Sequence, residues 1–239
     1  MTCLVFLHGF MGAADDWQAI RAELAEFPTV AVELRPAADW SSGVDKLLAE
    51  LPPDAVLIGY SMGARLALAC VLASPERFAG LVFVSGSPGI EDAALRRARD
   101  EHDRQVAENL RQRPRASFLQ VWYRQSVFAS LTPALREAEI ERKLARCGRH
   151  WPDLLRTYSV GRQPNYWPQL PGIPIPVLAM AGELDPRYVR NMERFALVCA
   201  RCESCIVPNA GHLVPREQPE AFVQAVREFV RVRVGPRIH

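Results

Sequence analysis

The sequence predicts an α/β fold, a mostly parallel sheet flanked by helices and interrupted by a helical insertion. Three observations predict it. Short apolar runs alternate with helix-length patterns, as they do where strands are buried on both faces. One run leads through a G-x-S-x-G pentapeptide straight into a helical pattern. From 88 to 168 no strand pattern occurs, although helical patterns do. At 239 residues the chain is long enough for one well-buried domain and too short for two comfortable ones.

Taken in order, Leu4-Val5-Phe6-Leu7 reads as the first strand, followed by strands at 29–34, 55–59, 81–84, 176–180 and 205–207. Each is a run of apolar residues of strand length closed by turn residues. Helical spacing places helices at 16–26, 44–51, 62–74, 187–200 and 215–232. The last opens on Pro215, which suits a first-turn position because its missing N–H is not needed there. The expected core is therefore 1–87 with 169–239, and 88–168 is the expected cap over the C-terminal edge of the sheet. In open α/β sheets that edge binds ligands. The Pro-rich stretch 164–176 reads as the return to the core.

A formal net charge of +2 is too small for a nucleic-acid binder. No apolar run is long enough to cross a bilayer, and the N-terminal residues lack a basic region before their apolar run. The expectation is a cytoplasmic protein, by default, with no membrane insertion and a monomeric or weakly dimeric state. Cys199-x-x-Cys202-x-x-Cys205 has the spacing of part of an iron–sulfur run. With Cys199 ending a helix and Cys205 opening a strand the three thiols would diverge, so no metal is expected.

Chemistry concentrates in Gly59-Tyr60-Ser61-Met62-Gly63. Glycines on both sides allow the sharp strand-to-helix turn that lifts a serine hydroxyl above the sheet. A hydroxyl needs a neighbour to take its proton. His212, in Asn209-Ala210-Gly211-His212 after the last strand, stands at the right edge; His102 and His150 fall in the insertion and His239 ends the chain. The acid that orients the imidazole should follow the preceding strand, in Gly182-Glu183-Leu184-Asp185. Asp185 fits the chain order Ser, Asp, His, and Glu183 is its competitor. Backbone N–H groups of Met62 and Phe10 are the expected oxyanion donors. His8 should shape the Phe10 loop through hydrogen bonds rather than shuttle protons.

These motifs recur in a known family. The chain resembles the 2-succinyl-6-hydroxy-2,4-cyclohexadiene-1-carboxylate synthases (MenH-type) of the α/β-hydrolase fold. The resemblance lies in Val5-Phe6-Leu7-His8-Gly9-Phe10-Met11-Gly12, in Trp17, and in Gly59-Tyr60-Ser61-Met62-Gly63-Ala64-Arg65. It continues through Ser87-Pro88-Gly89-Ile90, Arg96-Arg97-Ala98-Arg99, Trp122-Tyr123-Arg124-Gln125-Ser126-Val127-Phe128, Gly161-Arg162-Gln163-Pro164 and Ala210-Gly211-His212. It implies an enzyme of menaquinone biosynthesis that uses no cofactor. Its triad removes a proton, and pyruvate is eliminated from a small anionic substrate. By resemblance Arg65 and Arg99 hold carboxylates, and Tyr60 and Trp122 line the pocket. Arginine suits that task because its fork matches a carboxylate and stays charged. Arg96 and Arg97 are alternatives to Arg99.

The sequence also departs from the family. Glu33-Leu34-Arg35-Pro36 stands where an Asp-Leu-Pro-Gly-His-Gly turn is usual, in a loop expected to border the active-site mouth. The family's cap arginine aligns with Lys143, with Arg142 and Arg146 as possible substitutes. The initial hairpin of the family has no counterpart before the first strand. An esterase or carbon–carbon bond hydrolase on the same triad, acting on a small carboxylated substrate, is the alternative activity. A binding module without catalysis would have no use for all three triad residues.

Overall fold

Alternate residues of a strand face opposite layers, and both layers of this sheet are apolar. Val5, Leu7, Leu57, Leu81 and Phe83 join one buried cluster; Leu4, Phe6, Val56, Ile58, Val82 and Val84 join another on the opposite face. The computed structural model describes residues 2–234. Met1, residues 235–238 and His239 lie outside the described residues.

The strands are β1 (Leu4–Leu7), β2 (Thr29–Val32), β3 (Ala55–Tyr60), β4 (Phe78–Val84), β5 (Val177–Gly182) and β6 (Cys202–Val207). They pair in parallel in the order β2-β1-β3-β4-β5-β6. The core helices are α1 (Gln18–Glu23), α2 (Trp40–Glu50), α3 (Met62–Ala73), α8 (Pro186–Val198), α9 (Val214–Glu217) and α10 (Pro219–Phe229). Side chains of α2, α3 and α8 pack on the first cluster, and those of α1 and α10 on the second. From Met62 to Val71 every residue of α3 is buried, as befits a helix under a sheet with a cap beyond it. Arg65 is the one charged residue in that stretch.

Between β4 and β5 the chain forms α4 (Ala93–Gln112), α5 (Arg115–Trp122), α6 (Pro133–Leu144) and α7 (Trp151–Thr157). The two ends of this excursion meet where the Tyr166 N–H donates to the Pro88 carbonyl at 2.8 Å. Trp40 Nε1 donates to the Tyr166 hydroxyl at 2.8 Å and ties α2 to the same junction.

Several expected boundaries shift, each for a physical reason. The strand expected at 29–34 stops at Val32, because the Leu34 N–H leaves the ladder to donate to His8 Nε2 at 3.1 Å. The strand expected at 205–207 begins at Cys202; Glu203 and Ser204 hide it, polar residues being common on an edge strand. α2 starts at Trp40 rather than 44, capped by Asp39, whose Oδ1 accepts the Ser42 N–H at 2.8 Å. Gly43 obscured that start; a Cβ there would lie 2.4 Å from the Tyr158 hydroxyl. The helix expected at 215–232 breaks at Gln218, because Pro219 offers no N–H and excludes helical backbone before it.

Register positions the site. Leu7 stands opposite Gly59, Tyr60 opposite Val84, Val84 opposite Met180, and Gly182 opposite Val207. The loops leaving β1, β3, β4, β5 and β6 therefore emerge along one edge of the sheet.

Candidate active site

Ser61 follows β3 with φ +52° and ψ −106°, a strained backbone for a residue with a Cβ. Its flanking glycines make the turn possible. A Cβ on Gly59 would meet the Ala64 backbone at 2.5 Å, and one on Gly63 the Leu7 carbonyl at 2.2 Å. The hydroxyl is thus presented at the mouth of the sheet with α3 beginning directly behind it.

His212 Nε2 lies 3.3 Å from Ser61 Oγ, and Nδ1 lies 2.9 Å from Asp185 Oδ2. A carboxylate can only accept, so Nδ1 carries the proton and Nε2 is left to receive one from Ser61. Both His212 and Asp185 are buried. The rings of Tyr188, Tyr60 and Phe128 surround the imidazole at 4.6, 5.5 and 6.1 Å between centroids. Glu183, the competing acid, accepts the Asn209 N–H at 3.1 Å and so braces the histidine loop from outside. Glu217 accepts the Gly211 and Leu213 N–H groups, each at 2.9 Å, and holds the same loop on both sides of His212. Glu217 was not singled out in the sequence, because nothing in its spacing shows that the chain folds back on itself there.

The loop after β1 closes as a turn in which the Gly12 N–H donates to the Gly9 carbonyl at 3.0 Å, with Met11 at φ +58°. His8 stands under it: Nδ1 lies 2.8 Å from the Gly9 carbonyl, and Nε2 accepts from Leu34. Burial lowers the His8 pKa, which keeps the ring neutral as those two bonds require. Met62 is the first residue of α3, so its N–H has no partner within the helix. Phe10 and Met62 both border the same cavity as Ser61.

That cavity, of about 470 Å³, lies between the sheet edge and α4–α7. Tyr60, Arg65, Arg99, Trp122 and Lys143 all line it, together with Ser61 and His212. Trp122 is stacked on Phe118 at 5.9 Å and meets Phe10 edge-on at 5.3 Å, forming an apolar wall. Burial pushes the Tyr60 phenol above its ordinary pKa. Of the three neighbouring cap arginines, the wall takes in Arg99 and neither Arg96 nor Arg97.

Arg65 is buried, and no carboxylate pairs with it among the described residues. Its Nη1 donates to Gln163 Oε1 at 3.2 Å, its Nη2 to the Tyr158 carbonyl at 2.9 Å, and its guanidinium lies 5.6 Å from the Trp40 ring. Gln163, fully buried, also donates through Nε2 to the Ser87 carbonyl at 2.8 Å. The G-x-Q-P segment thereby anchors Arg65. Burial, then the nearby Arg99, lower the Arg65 pKa to about 10, which still leaves it charged at neutral pH. Arg99 is held through Nε by Asp103 Oδ1 at 2.8 Å, and Asp103 Oδ2 accepts from Ser159 at 2.8 Å. Asp103 was overlooked in the sequence, although its position one helical turn past Arg99 was a usable signal.

Lys143 is engaged by protein. Its Nζ lies 3.3 Å from Asp16 Oδ2, and Asp16 also pairs with Arg142 and Arg146. Burial, only partly offset by Asp16, pushes the Lys143 pKa down to about 8. Desolvation alone would raise the Asp16 pKa, but the hydrogen bond from Arg146 and the charges of Lys143 and Arg142 hold it well below the usual range. Arg142 borders the cavity but is bound to Asp16 and Glu139; Arg146 faces a different groove.

One expectation fails. The Glu33-Leu34-Arg35-Pro36 loop does not border the Ser61 cavity; it lines the separate groove with Arg146. The insertion covers it on the active-site side, where Tyr158 Oη donates to the Arg35 carbonyl at 2.9 Å and Thr157 Oγ1 to the Ala37 carbonyl at 3.0 Å. The cysteines do not converge: Cys199 and Cys202 pack with one face of the sheet and Cys205 with the other, and it is Cys202 that opens the strand.

Residues 4–225 match the model of the "Alpha/beta hydrolase family". A 2-succinyl-6-hydroxy-2,4-cyclohexadiene-1-carboxylate synthase from Serratia proteamaculans is 33% identical over 95% of this chain and 92% of its own length. One from Enterobacter sp. (strain 638) is 30% identical over 97% and 92%. Among solved structures, MenH from S. aureus superposes with a TM-score of 0.88 at 23% identity, over 96% of this chain and 93% of that one. A thermophilic esterase from Thermogutta terrifontis, solved with malate bound, reaches 0.82 at 26% identity, over 99% and 91%.

Proposed function

The chain belongs to the alpha/beta hydrolase family, and within it to the 2-succinyl-6-hydroxy-2,4-cyclohexadiene-1-carboxylate synthases; we propose that it acts as that synthase, as a carbon–oxygen lyase in menaquinone biosynthesis. One observation carries the reading: Arg65, a buried guanidinium with no carboxylate partner among the described residues, opens into the same cavity as Ser61 and His212. Burying a cation without a counter-ion is costly. A substrate carboxylate would be the missing counter-ion, and a neutral ester would leave it unpaired.

Ser61, Asp185 and His212 form the catalytic triad in this proposal. Asp185 fixes the imidazole, and the Ser61–His212 pair takes a proton from a ring carbon whose charge is delocalised onto the succinyl ketone. That electron pair forms a double bond within the ring, the existing ring double bond shifts along by one position, and the carbon–oxygen bond to the departing pyruvate unit breaks. The oxygen leaves with its electrons, and protonation of the released enolate gives pyruvate. Charge on a ketone oxygen during enolisation resembles charge on a tetrahedral intermediate, so the N–H groups of Phe10 and Met62 can stabilise either. Arg65 and Arg99 hold carboxylates, Tyr60 and Trp122 shape the wall, and Lys143, paired with Asp16, adds positive potential. No step calls for a cofactor. The cap is 88–168, and the expected setting is the cytoplasm.

Hydrolysis of a small carboxylated ester on the same triad is the second reading. It is favoured by the likeness to an esterase solved with malate, a dicarboxylate. Pyruvate release decides between them, with substrate generated by the preceding pathway enzyme and a nitrophenyl ester panel alongside. Rapid release that disappears in Ser61→Ala supports the synthase. Ester cleavage without pyruvate would remove the lyase reading and leave the hydrolase.

A further inference from the structure

We infer that Arg187 and Arg190 form an outer carboxylate subsite at the mouth of the cavity. The inference rests on the polycarboxylate reading of the site.

Three observations converge on these residues. Both line the cavity that holds Ser61, and both are exposed, so they sit at its rim. Neither has an acidic partner among the ion pairs of the described residues, whereas Arg99, Arg142, Lys143 and Arg216 each have one. Arg187 also stands in the first turn of the helix that carries it, where a cation is disfavoured. α8 begins at Pro186, with Asp185 as its N-cap, and has no acidic residue in its first turn. The positive end of a helix dipole favours anions and disfavours cations. Arg187, one residue inside that end, has the Tyr188 ring beside it but no acid, and Arg190 follows three residues on. An anion arriving from solvent would be favoured by both guanidinium groups.

Tyr188 connects this rim to the triad. The Arg187 guanidinium lies 5.8 Å from the Tyr188 ring, and that ring lies 4.6 Å from the His212 ring. Arg187 and His212 therefore neighbour the same tyrosine ring. Arg65, buried on α3, and Arg99, half-buried on α4, line the same cavity. Lys143 faces Asp16, which Arg142 and Arg146 also hold. A ligand with carboxylates at both ends would be held by Arg65 and Arg99 at one end and by the α8 pair at the other. Because that pair is exposed, its contribution is sensitive to salt, unlike that of Arg65.

The test is calorimetric titration of the full chain with propane-1,2,3-tricarboxylate and, separately, with acetate. In Arg187→Gln, Arg190→Gln the tricarboxylate affinity should fall about tenfold or more, and that of acetate by less than about twofold. The slope of tricarboxylate affinity against salt should flatten in the same variant. Arg187→Lys, Arg190→Lys should recover affinity to within about threefold, which separates lost charge from lost packing on Tyr188. Tricarboxylate affinity within about twofold of wild type in the Gln pair, or no tricarboxylate binding by wild type, overturns the subsite. Loss of binding in the Gln pair while wild type releases no pyruvate would retire the synthase reading and keep the subsite.

Discussion

Gln163→Glu is the sharpest test of the claim that Arg65 is kept free for a substrate carboxylate. Gln163 is fully buried and its Oε1 stands 3.2 Å from Arg65 Nη1. The substitution changes no heavy-atom count but places an anion against the guanidinium. At an effective dielectric of about 20, two unit charges that close attract by about 5 kcal/mol, before desolvation is subtracted. The new pair would satisfy Arg65 internally. A ligand carboxylate on the far side of the guanidinium, roughly 7 Å from the introduced anion, would be repelled by about 2 kcal/mol, or about 30-fold in affinity. The Nε2 donor to the Ser87 carbonyl, now 2.8 Å long, is lost as well, at a cost of about 1–3 kcal/mol in stability. The assay is KM for the carboxylated substrate, or the inhibition constant of a dicarboxylate, with a urea melt to separate stability from binding. Gln163→Leu is the control. It removes both hydrogen bonds without adding charge, so its stability loss should be the larger and its affinity loss the smaller. Wild-type carboxylate affinity in a folded Gln163→Glu protein would refute the reasoning: Arg65 would then be a structural cation.

Ser61→Ala and His212→Ala should each lower turnover on the order of 10⁴-fold or more, measured as pyruvate release, and a wild-type-like rate in either would end the triad assignment. Gly63→Ala should lower the urea midpoint by an amount equivalent to at least about 2 kcal/mol, since its Cβ would lie 2.2 Å from the Leu7 carbonyl and overpacked backbone cannot yield cheaply. A midpoint unchanged within error would mean that the loop after β1 can move away. For Lys143 the folded pKa is lowered to about 8 from 10.5, so between those values the unfolded chain binds more protons than the folded one. This group's contribution to stability therefore rises with pH across that window. Urea melts at pH 8, 9 and 10 should show an upward trend that Lys143→Met removes, and equal slopes in the two proteins would contradict the buried-ammonium description.

What could be read from the sequence divides by the range of the forces involved. Leu4–Leu7 and Ala55–Tyr60 were legible because a strand buried on both faces needs unbroken apolar residues. Ser61 was legible because only glycine fits two residues either side of it, so the steric demand is written locally. Asp103 was available by the same logic, as a partner one turn from Arg99. The Lys143–Asp16 pair was not, because its members are 127 positions apart and meet only once the insertion has folded over the β1 loop. The choice between Glu183 and Asp185 illustrates the boundary. Both acids follow β5 and both touch the His212 loop, one on its backbone and one on its imidazole. Chain order selected Asp185, but the reason for the other acid lies in the Asn209 N–H, which β6 delivers from across the sheet edge. The 33–36 loop was misread for the complementary reason: leaving the correct edge is necessary to reach the cavity, and α7 intervenes. Local sterics therefore specify which residues can react, while the cap specifies which charges remain unpaired to greet a substrate. In this fold the second question decides the substrate, so the unpaired arginines of the cavity, rather than the triad, are where specificity is to be sought.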